Sequence, residues 1–330
     1  MSSHEVGNKA ALQEEAYGQF AKGFFTRLID YAGLFPPARL PLEAAIRNFH
    51  RYQGSPERWM LSRFVITTET FLALSEELIA LFTSERPLPL SLIVGDPAKD
   101  LPEVFSRIDT SKGRVSLERI ECRLEKGPDT LSTYHHHIDF LSKDSYAKAL
   151  TAAFFELGAA GEGWEQGMEE LVREMAVRNK SAQPWSGLKL RCGGIEDSFI
   201  PSPERVATVL ATVAAHRVPI KFTAGLHHPF RHAPHKTEGN LTKPVHGFFN
   251  VFFAAFVACL QNEPASALVP LVSEMEDTAP IFDESSVSWL GCRLLYSDIE
   301  RVRRDKVLSF GSCSFEEPIA DATEVGWMKR

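Results

Sequence analysis

The sequence predicts an α/β fold of the (β/α)8 TIM-barrel type, and three features of the 330-residue chain support this prediction. Short β-rich runs alternate with longer helical segments, a pattern typical of a parallel sheet joined by right-handed crossovers. Seven or eight such units in about 270 residues suit a closed barrel better than an open sheet. No linker rich in Gly, Ser or Pro divides the chain, so a single structural unit is expected.

The N-terminal segment is predicted to be helical. Apolar residues recur at helical spacing from about Ala10 to Asp30, and Pro36-Pro37 cannot continue a helix. A second helix is predicted over roughly Pro41 to Gln53. We therefore expect residues 1–58 to form a helical extension packed on the barrel, and residues 59–330 to form the barrel catalytic domain.

The predicted strands are short runs bounded by turn residues. They are Leu61–Thr67, Leu88–Val94, Val115–Glu125, Thr151–Leu157, Gly187–Cys192, Pro219–Thr223 and Val307–Phe310. The predicted helices between them include Thr70–Phe82, Trp164–Arg178, Pro203–His216 and Gly247–Gln261. Between Gln261 and Arg304 the sequence indicates only a short hairpin within Ile281–Leu295, which leaves open that the barrel is incomplete or distorted near its seventh unit.

Composition and charge exclude several classes of function. The chain has 36 Lys plus Arg and 43 Asp plus Glu, a formal charge of −7, without a long block of one sign. Nucleic acid is therefore not an expected partner. Five widely spaced cysteines form no C-x-x-C pair, which favours a reducing cytoplasm. The most apolar stretch, Phe248 to Leu260, is shorter than the roughly 20 residues that cross a bilayer, so no membrane partner is expected. Homo-oligomerisation is left open.

Two neighbouring predicted strands each carry polar side chains on one face. Because side chains alternate along a strand, Lys189 and Arg191 share one face of the first strand. Lys221 and Thr223 share one face of the next strand in the same way. If the apolar residues between them face the helices, these side chains point into the barrel, where buried cations need partners. Glu156, which ends an apolar run, is the nearest candidate partner in strand order.

The functional interpretation is a polar barrel mouth in which Lys221 or Lys189 binds an anionic group or reacts with a carbonyl. A lysine in a low-dielectric, cationic site has a lowered pKa, which frees its amine as nucleophile or base. The alternative is that both are strand-end lysines that reach water beside surface glutamates. Glu121, Arg123 and Glu125 share a face of the third predicted strand and would extend the ionic network.

A histidine-rich stretch follows the strand that contains Lys221. Its histidines are His227, His228, His232, His235 and, further along, His246. His227 or His228 is a candidate for moving protons, and on this interpretation the protein needs no cofactor. Neutral imidazoles also bind zinc, iron or nickel, so the same five residues are an alternative site for one divalent metal ion such as zinc. The remaining alternative is a polar lid whose histidines bond to the backbone.

Three further regions of the chain contain candidate substrate-binding residues. Gly193 and Gly194 follow Arg191 and would let a phosphate or carboxylate approach backbone N–H groups, although a simple turn also explains them. Ser312 and Ser314 follow the last predicted strand, where barrels often bind phosphate. Asp30 lies just before the Gly- and Pro-containing segment and either caps a turn or closes the barrel mouth.

Several segments resemble a bacterial protein family whose function is uncharacterised. They are Asp30–Ala38, Gly187–Gly194, Lys221–Pro229, His246–Phe252 and Ser309–Phe315. The segment Lys221–Gly225 is also similar to the reactive strand end of the class I deoxyribose-phosphate aldolases, which are (β/α)8 barrels with a second lysine on a neighbouring strand. This resemblance implies a Schiff base on Lys221 with Lys189 as the tuning cation. In those aldolases the second lysine follows the reactive one, whereas Lys189 precedes Lys221.

Three functional hypotheses follow from the sequence. The leading one is a barrel enzyme of aldolase, lyase or isomerase type that acts on a small anionic carbonyl compound. Lys221 would be nucleophile or electrostatic anchor, Glu156 and Lys189 would set its pKa, and Arg191 would hold the anionic group. The second is a metal-dependent hydrolase in which the histidines and Glu156 hold an ion that activates water. The third is a barrel that binds a metabolite without catalysis.

Overall fold

The computed structural model describes residues 18–158, 163–181, 183–235, 240–275 and 279–327. The strands of this part of the chain are β1 (Ile29–Tyr31), β2 (Leu61–Thr67), β3 (Leu88–Val94), β4 (Val115–Leu124), β5 (Ala152–Leu157), β6 (Trp185–Arg191), β7 (Ile220–Thr223), β8 (Ile281–Phe282), β9 (Ser286–Trp289), β10 (Cys292–Leu295) and β11 (Val307–Ser312). Eight of them, all parallel to their neighbours, close into a barrel in the order β1-β11-β7-β6-β5-β4-β3-β2. The predicted TIM-barrel fold is therefore confirmed.

Helices alternate with the barrel strands. They are α1 (residues 18–25), α2 (Leu42–Tyr52), α3 (Thr68–Leu72), α4 (Glu76–Ile79), α5 (Pro97–Thr110), α6 (Thr130–Leu141), α7 (Asp144–Ala147), α8 (Trp164–Arg178), α9 (Pro203–His216), α10 (Phe248–Gln261), α11 (Ala265–Ser273), α12 (Tyr296–Asp305) and α13 (Glu316–Glu324), with 3-10 turns at Pro56–Trp59 and Asp197–Phe199. The single helix expected over Thr70–Phe82 is instead two short ones, because the Ser75 hydroxyl accepts a hydrogen bond from Leu78 N and begins a new helix.

The barrel begins earlier in the chain than the sequence indicated. β1 lies within residues 1–58, which were expected to form a helical extension, and it pairs with β11 on one side and β2 on the other. It supplies the strand that closes the barrel, so the barrel is complete. Between Gln261 and Arg304 the chain instead forms α11 and a small antiparallel sheet of β8, β9 and β10. The predicted hairpin is confirmed, since Trp289 pairs with Cys292 across its turn.

Apolar residues face the helix layer, and this orientation leaves the polar residues of β6 and β7 inside the barrel. Leu188 and Leu190 of β6 belong to the main hydrophobic core. Phe222 of β7 packs on Phe252 of α10, with ring centroids 4.9 Å apart. The apolar stretch in α10 is thus a buried core helix. No helix in the described part of the chain is long and apolar enough to cross a membrane.

Candidate active site

The polar side chains of several barrel strands meet inside the barrel in what we call the ion network. Its members are Asp30 of β1, Glu121 of β4, Glu156 of β5, Lys189 and Arg191 of β6, and Lys221 of β7. The parallel register brings them to similar depths, since Lys189 is the direct neighbour of Lys221 across β6 and β7. Three buried carboxylates therefore contact two buried lysines and the partly exposed Arg191.

Glu121 is the centre of the ion network. One of its carboxylate oxygens accepts hydrogen bonds from Lys221 Nζ and from the Ser91 hydroxyl of β3, the latter at 2.5 Å. Its other oxygen lies 3.0 Å from Lys189 Nζ. Glu121 thus binds both lysines at once and separates their charges. Arg123 and Glu125 share a strand face with Glu121 in the sequence pattern, but in the structure they pair with each other near the surface at 3.0 Å and do not extend the ion network.

The other two carboxylates complete the pairing of the lysines. Glu156 lies 2.8 Å from Lys189 Nζ with one oxygen and accepts a 2.9 Å hydrogen bond from Arg191 Nε with the other. Asp30 accepts hydrogen bonds from Lys221 Nζ at 2.8 Å and from the Ser309 hydroxyl at 2.6 Å. Each lysine therefore contacts two carboxylates. Asp30 is fully buried inside the barrel and neither caps a turn nor closes the mouth.

The charges inside the barrel keep the Asp30 and Glu121 carboxylates and the Lys189 ammonium ionised at neutral pH. Burial alone would raise the pKa of Glu121, but the positive charges of Lys221 and Lys189 outweigh it and lower that pKa to about 2. Burial likewise opposes ionisation of Asp30, and Lys221 and Arg63 hold the pKa of its carboxyl well below the usual range. Burial would lower the pKa of Lys189, yet Glu121 and Glu156 raise it above its ordinary value. The raised pKa of Lys189 is opposite to the lowered lysine pKa that was predicted from the sequence.

A cavity of about 740 Å³ lies at the carboxyl ends of the strands, and every member of the ion network except Asp30 lines it. Lys189, Lys221, Glu121, Glu156 and Arg191 are among its lining residues, together with apolar side chains such as Phe35, Ile93 and Phe199. This is the end at which TIM-barrel enzymes have their active sites. The combination of an apolar pocket, convergent charges and shifted pKa values is typical of a ligand-binding or catalytic site.

Two histidine–carboxylate pairs stand at the wall of the cavity. His227 and His228 both line it. His227 Nδ1 lies 3.0 Å from a carboxylate oxygen of Glu317, and His228 Nδ1 lies 2.6 Å from one of Asp321. The hydrogen bond from His227 is the main cause of the lowered pKa of Glu317. Both carboxylates belong to α13, where their spacing of four residues places them on one helix face.

The remaining histidines of the loop separate into two groups. His228, His232 and His235 come together, and their ligand-capable atoms lie within 4.8 Å of one another. His246 is buried elsewhere, with Nε2 2.8 Å from the Pro201 carbonyl and Nδ1 3.0 Å from Arg231 Nη1. The five histidines grouped as one metal site by the sequence therefore do not converge.

The buried His246 predicts an acid-sensitive step in stability. Burial, aided by the charge of Arg231, lowers its pKa from 6.5 to about 4. His246 is protonated near pH 6.5 in the unfolded chain but only near pH 4 in the folded protein. The contribution of the neutral His246 to folding stability is therefore complete above pH 6.5 and decreases as the pH falls toward 4. We expect the free energy of unfolding to fall by about 2 kcal/mol between pH 7.5 and pH 5. Urea denaturation should show this slope, and His246→Gln should flatten it.

Gly193 and Gly194 occupy a crowded turn between β6 and α9. A Cβ added to Gly193 would lie 2.7 Å from Gly225 Cα, and Gly225 itself has a positive φ of 73°. The two backbones approach here because neither residue has a side chain. Gly194 lines the cavity, and Phe199 packs against it. Close packing against Gly225 thus explains why position 193 is a glycine without a bound phosphate.

Gly193→Ala is accordingly expected to destabilise the protein by about 1–3 kcal/mol through steric overlap with Gly225. Chemical denaturation of the variant measures the loss. Gly127→Ala is the matched control, since a Cβ there meets nothing within 4 Å and should change stability by less than about 0.5 kcal/mol. Equal stability of Gly193→Ala and the wild type would contradict the close contact.

The remaining predicted binding residues lie near the cavity but differ in access to it. Thr223 and Ser314 line the cavity. Ser312 is buried, and its hydroxyl accepts a hydrogen bond from Ser314 N at 3.3 Å. The Ser314 hydroxyl in turn accepts from Glu317 N at 3.1 Å. These two serines therefore shape the turn that places Glu317 beside His227.

The acidic partners on α13 and the serine donors inside the barrel were not predicted from the sequence. Glu317 and Asp321 are separated by four residues in a short C-terminal helix, and this spacing on one face was an available signal. Ser91 and Ser309 gave no comparable signal, because an isolated serine in an apolar strand is common.

The chain matches no protein-family model, no curated protein and no solved structure.

Proposed function

We propose that this TIM barrel is an enzyme of lyase or isomerase type that acts on a small anionic carbonyl compound bound in the cavity. The observation that carries the proposal is the pair of lysines on adjacent strands, each held by two carboxylates, in the lining of an otherwise largely apolar pocket. Charged groups fixed in advance in such a site stabilise charge that develops on a substrate.

Guanidinium groups at the cavity supply the binding site for the anionic part of the substrate. Arg191 uses Nε to bind Glu156, and its side chain is 38% exposed. A half-exposed guanidinium beside the cavity suits a carboxylate or phosphate, which it binds through paired N–H donors. Arg123 also lines the cavity, with a side chain 56% exposed. The proposed substrate therefore carries a carboxylate or phosphate within a few atoms of its carbonyl.

Lys189 is the proposed donor to the carbonyl oxygen. Its side chain is 9% exposed, whereas that of Lys221 is 1% exposed and lies between Asp30 and Glu121. Glu121 and Glu156 keep Lys189 protonated by raising its pKa. An ammonium that lines the cavity polarises a carbonyl and stabilises the enolate oxygen that forms from it. We assign Lys221 the role of an electrostatic anchor that holds Glu121, and thereby Lys189, in place.

His227 is the proposed base. Its ring lines the cavity, and Glu317 orients it through Nδ1, leaving the other ring nitrogen for substrate. In the proposed step the imidazole removes a proton from the carbon next to the carbonyl. The C–H electron pair forms the new C=C bond, and the carbonyl oxygen becomes an enolate that accepts a hydrogen bond from Lys189. Return of the proton from the imidazolium to a different carbon of the enolate gives isomerisation. Elimination follows instead when the enolate re-forms its carbonyl, a C=C bond forms to the next carbon, and the bond from that carbon to a leaving group breaks, the leaving group taking the imidazolium proton.

Exchange of carbon-bound protons with D₂O tests this proposal without requiring the natural substrate. A panel of 2-oxo acids and of phosphorylated aldehydes and ketones is incubated with the protein, and ¹H NMR follows loss of the signal next to the carbonyl. Catalysed exchange of at least one compound is expected. Binding without exchange would favour the non-catalytic metabolite-binding barrel. Trapping of a covalent adduct by borohydride would favour the Schiff base implied by the aldolase resemblance.

A further inference from the structure

We propose that His228, His232 and His235 bind a divalent transition-metal ion at the rim of the cavity. Their ligand-capable atoms lie within 4.8 Å of one another. Tetrahedral zinc with Zn–N bonds of roughly 2.0–2.1 Å places its nitrogen ligands about 3.3 Å apart, so small side-chain rotations bring the three rings into a coordination sphere. This inference goes beyond the proposed function, because it does not rely on the lysines.

Hydrogen bonds orient the rings of His228 and His232 in the way that histidine ligands are oriented in metal sites. His232 Nδ1 lies 2.9 Å from the Phe230 carbonyl oxygen, which can only accept, so Nδ1 donates this hydrogen bond and Nε2 is the nitrogen that would bind the metal ion. His228 Nδ1 lies 2.6 Å from the Asp321 carboxylate, which favours the same tautomer. Metal-binding histidines almost always donate their second N–H to a carboxylate or a backbone carbonyl. Both types of acceptor are present here.

The backbone that carries these histidines is anchored. His232 forms a β-bridge with Val245, with N–H···O distances of 3.2 and 2.9 Å. The carbonyl of His228 accepts a 2.9 Å hydrogen bond from Phe248 N, at the first residue of α10. The ring centroids of His228 and His232 are 4.8 Å apart, and those of His232 and His235 are 4.7 Å apart. The three rings are therefore held as one group.

The donor set indicates which ions would bind and how. Three neutral imidazoles suit zinc, iron, cobalt, nickel or copper, and do not suit calcium or magnesium, which prefer oxygen ligands. Three protein ligands leave a coordination position for water or substrate, as in catalytic zinc sites. His228 also lines the cavity, so a compound bound there can reach that position. His227 and His246 are directed to other partners and are not part of the site.

The test is metal binding by the untagged, full-length protein after removal of metal with a chelator. Zn²⁺ is titrated by calorimetry, and Co²⁺ is added as a spectroscopic probe of the ligand geometry. We expect one ion per chain, with a visible Co²⁺ spectrum of tetrahedral or five-coordinate type. His232→Ala/His235→Ala should abolish the calorimetric signal and the spectrum. Asp321→Ala, which removes the acceptor behind His228, should weaken binding by roughly 10–100-fold.

The control is His135→Ala/His136→Ala, which removes two exposed histidines of α6. This variant should retain the affinity and the stoichiometry of the wild type. Thermal unfolding without metal confirms that each variant is folded. The proposal is overturned if the wild type binds neither ion, if His232→Ala/His235→Ala binds as well as the wild type, or if the α6 variant is the one that loses binding.

Discussion

Lys221→Met is expected to destabilise the folded protein by about 3–5 kcal/mol, because it leaves two buried carboxylates without their shared cation. Lys221 Nζ lies between Asp30 and Glu121, whose side chains are 0% and 3% exposed. After the substitution Glu121 retains Lys189 and Ser91. Asp30 retains the Ser309 hydroxyl and Arg63, whose nearest guanidinium nitrogen is 3.9 Å away. Chemical denaturation at neutral pH measures the loss.

A second substitution should recover part of this loss. In Lys221→Met/Asp30→Asn the negative charge that lost its partner is also removed, so the double variant should be more stable than the sum of the single effects predicts. Lys99→Met is the matched control, since its side chain is 82% exposed and pairs with Asp96 at 3.5 Å. It should change stability by less than about 1 kcal/mol. Additive effects at Lys221 and Asp30 would contradict the buried contact.

The effect of Lys221→Met should also depend on pH in a defined direction. The pKa of Glu121 is lowered from 4.5 to about 2, and that of Asp30 is lowered as well. The ionised carboxylates contribute fully to the free energy of unfolding above their unfolded-state pKa values. This contribution is lost as the pH falls through their folded-state pKa values. The difference in unfolding free energy between the wild type and Lys221→Met should therefore shrink between pH 5 and pH 2.

The barrel could be predicted because strand and helix patterns are local. The seven strands expected from the sequence all lie in the barrel, with ends within two residues of those predicted. β1 was missed because it has three residues, follows a helical pattern directly and carries Asp30 at its centre. A buried aspartate in so short a strand is explained by contacts that are distant in sequence, above all with Lys221, which is 191 residues away in the chain.

The sequence predicted the cationic residues of the candidate site but not the side-chain contacts that join them. The alternation of β6 and β7 correctly indicated that Lys189 and Lys221 share the barrel interior with Glu156 nearby. Strand order alone could not show that Glu121 joins the two lysines, since that depends on contacts across the barrel. The pairing of His227 with Glu317 likewise depends on where α13 returns to the barrel mouth.

Lys189→Met should reduce the catalysed exchange of carbon-bound protons by about 10²–10³-fold, the loss typical of removing one hydrogen-bond donor from a developing oxyanion. The fold should survive, because Glu156 keeps Arg191 and Glu121 keeps Lys221 and Ser91 as partners. Unfolding of the variant in parallel separates a catalytic loss from a structural one. Lys99→Met again serves as the control and should exchange protons at the wild-type rate.

In the proposed mechanism, the protonated Lys189 in the cavity lining polarises a substrate carbonyl. Its most direct measurement is the ¹H NMR exchange rate of wild type and Lys189→Met, side by side, on the best compound of the panel. We expect rapid loss of the carbon-bound proton signal with the wild type and near-background loss with the variant. Equal exchange rates for the two folded proteins, or no exchange by the wild type with any compound of the panel, would contradict it.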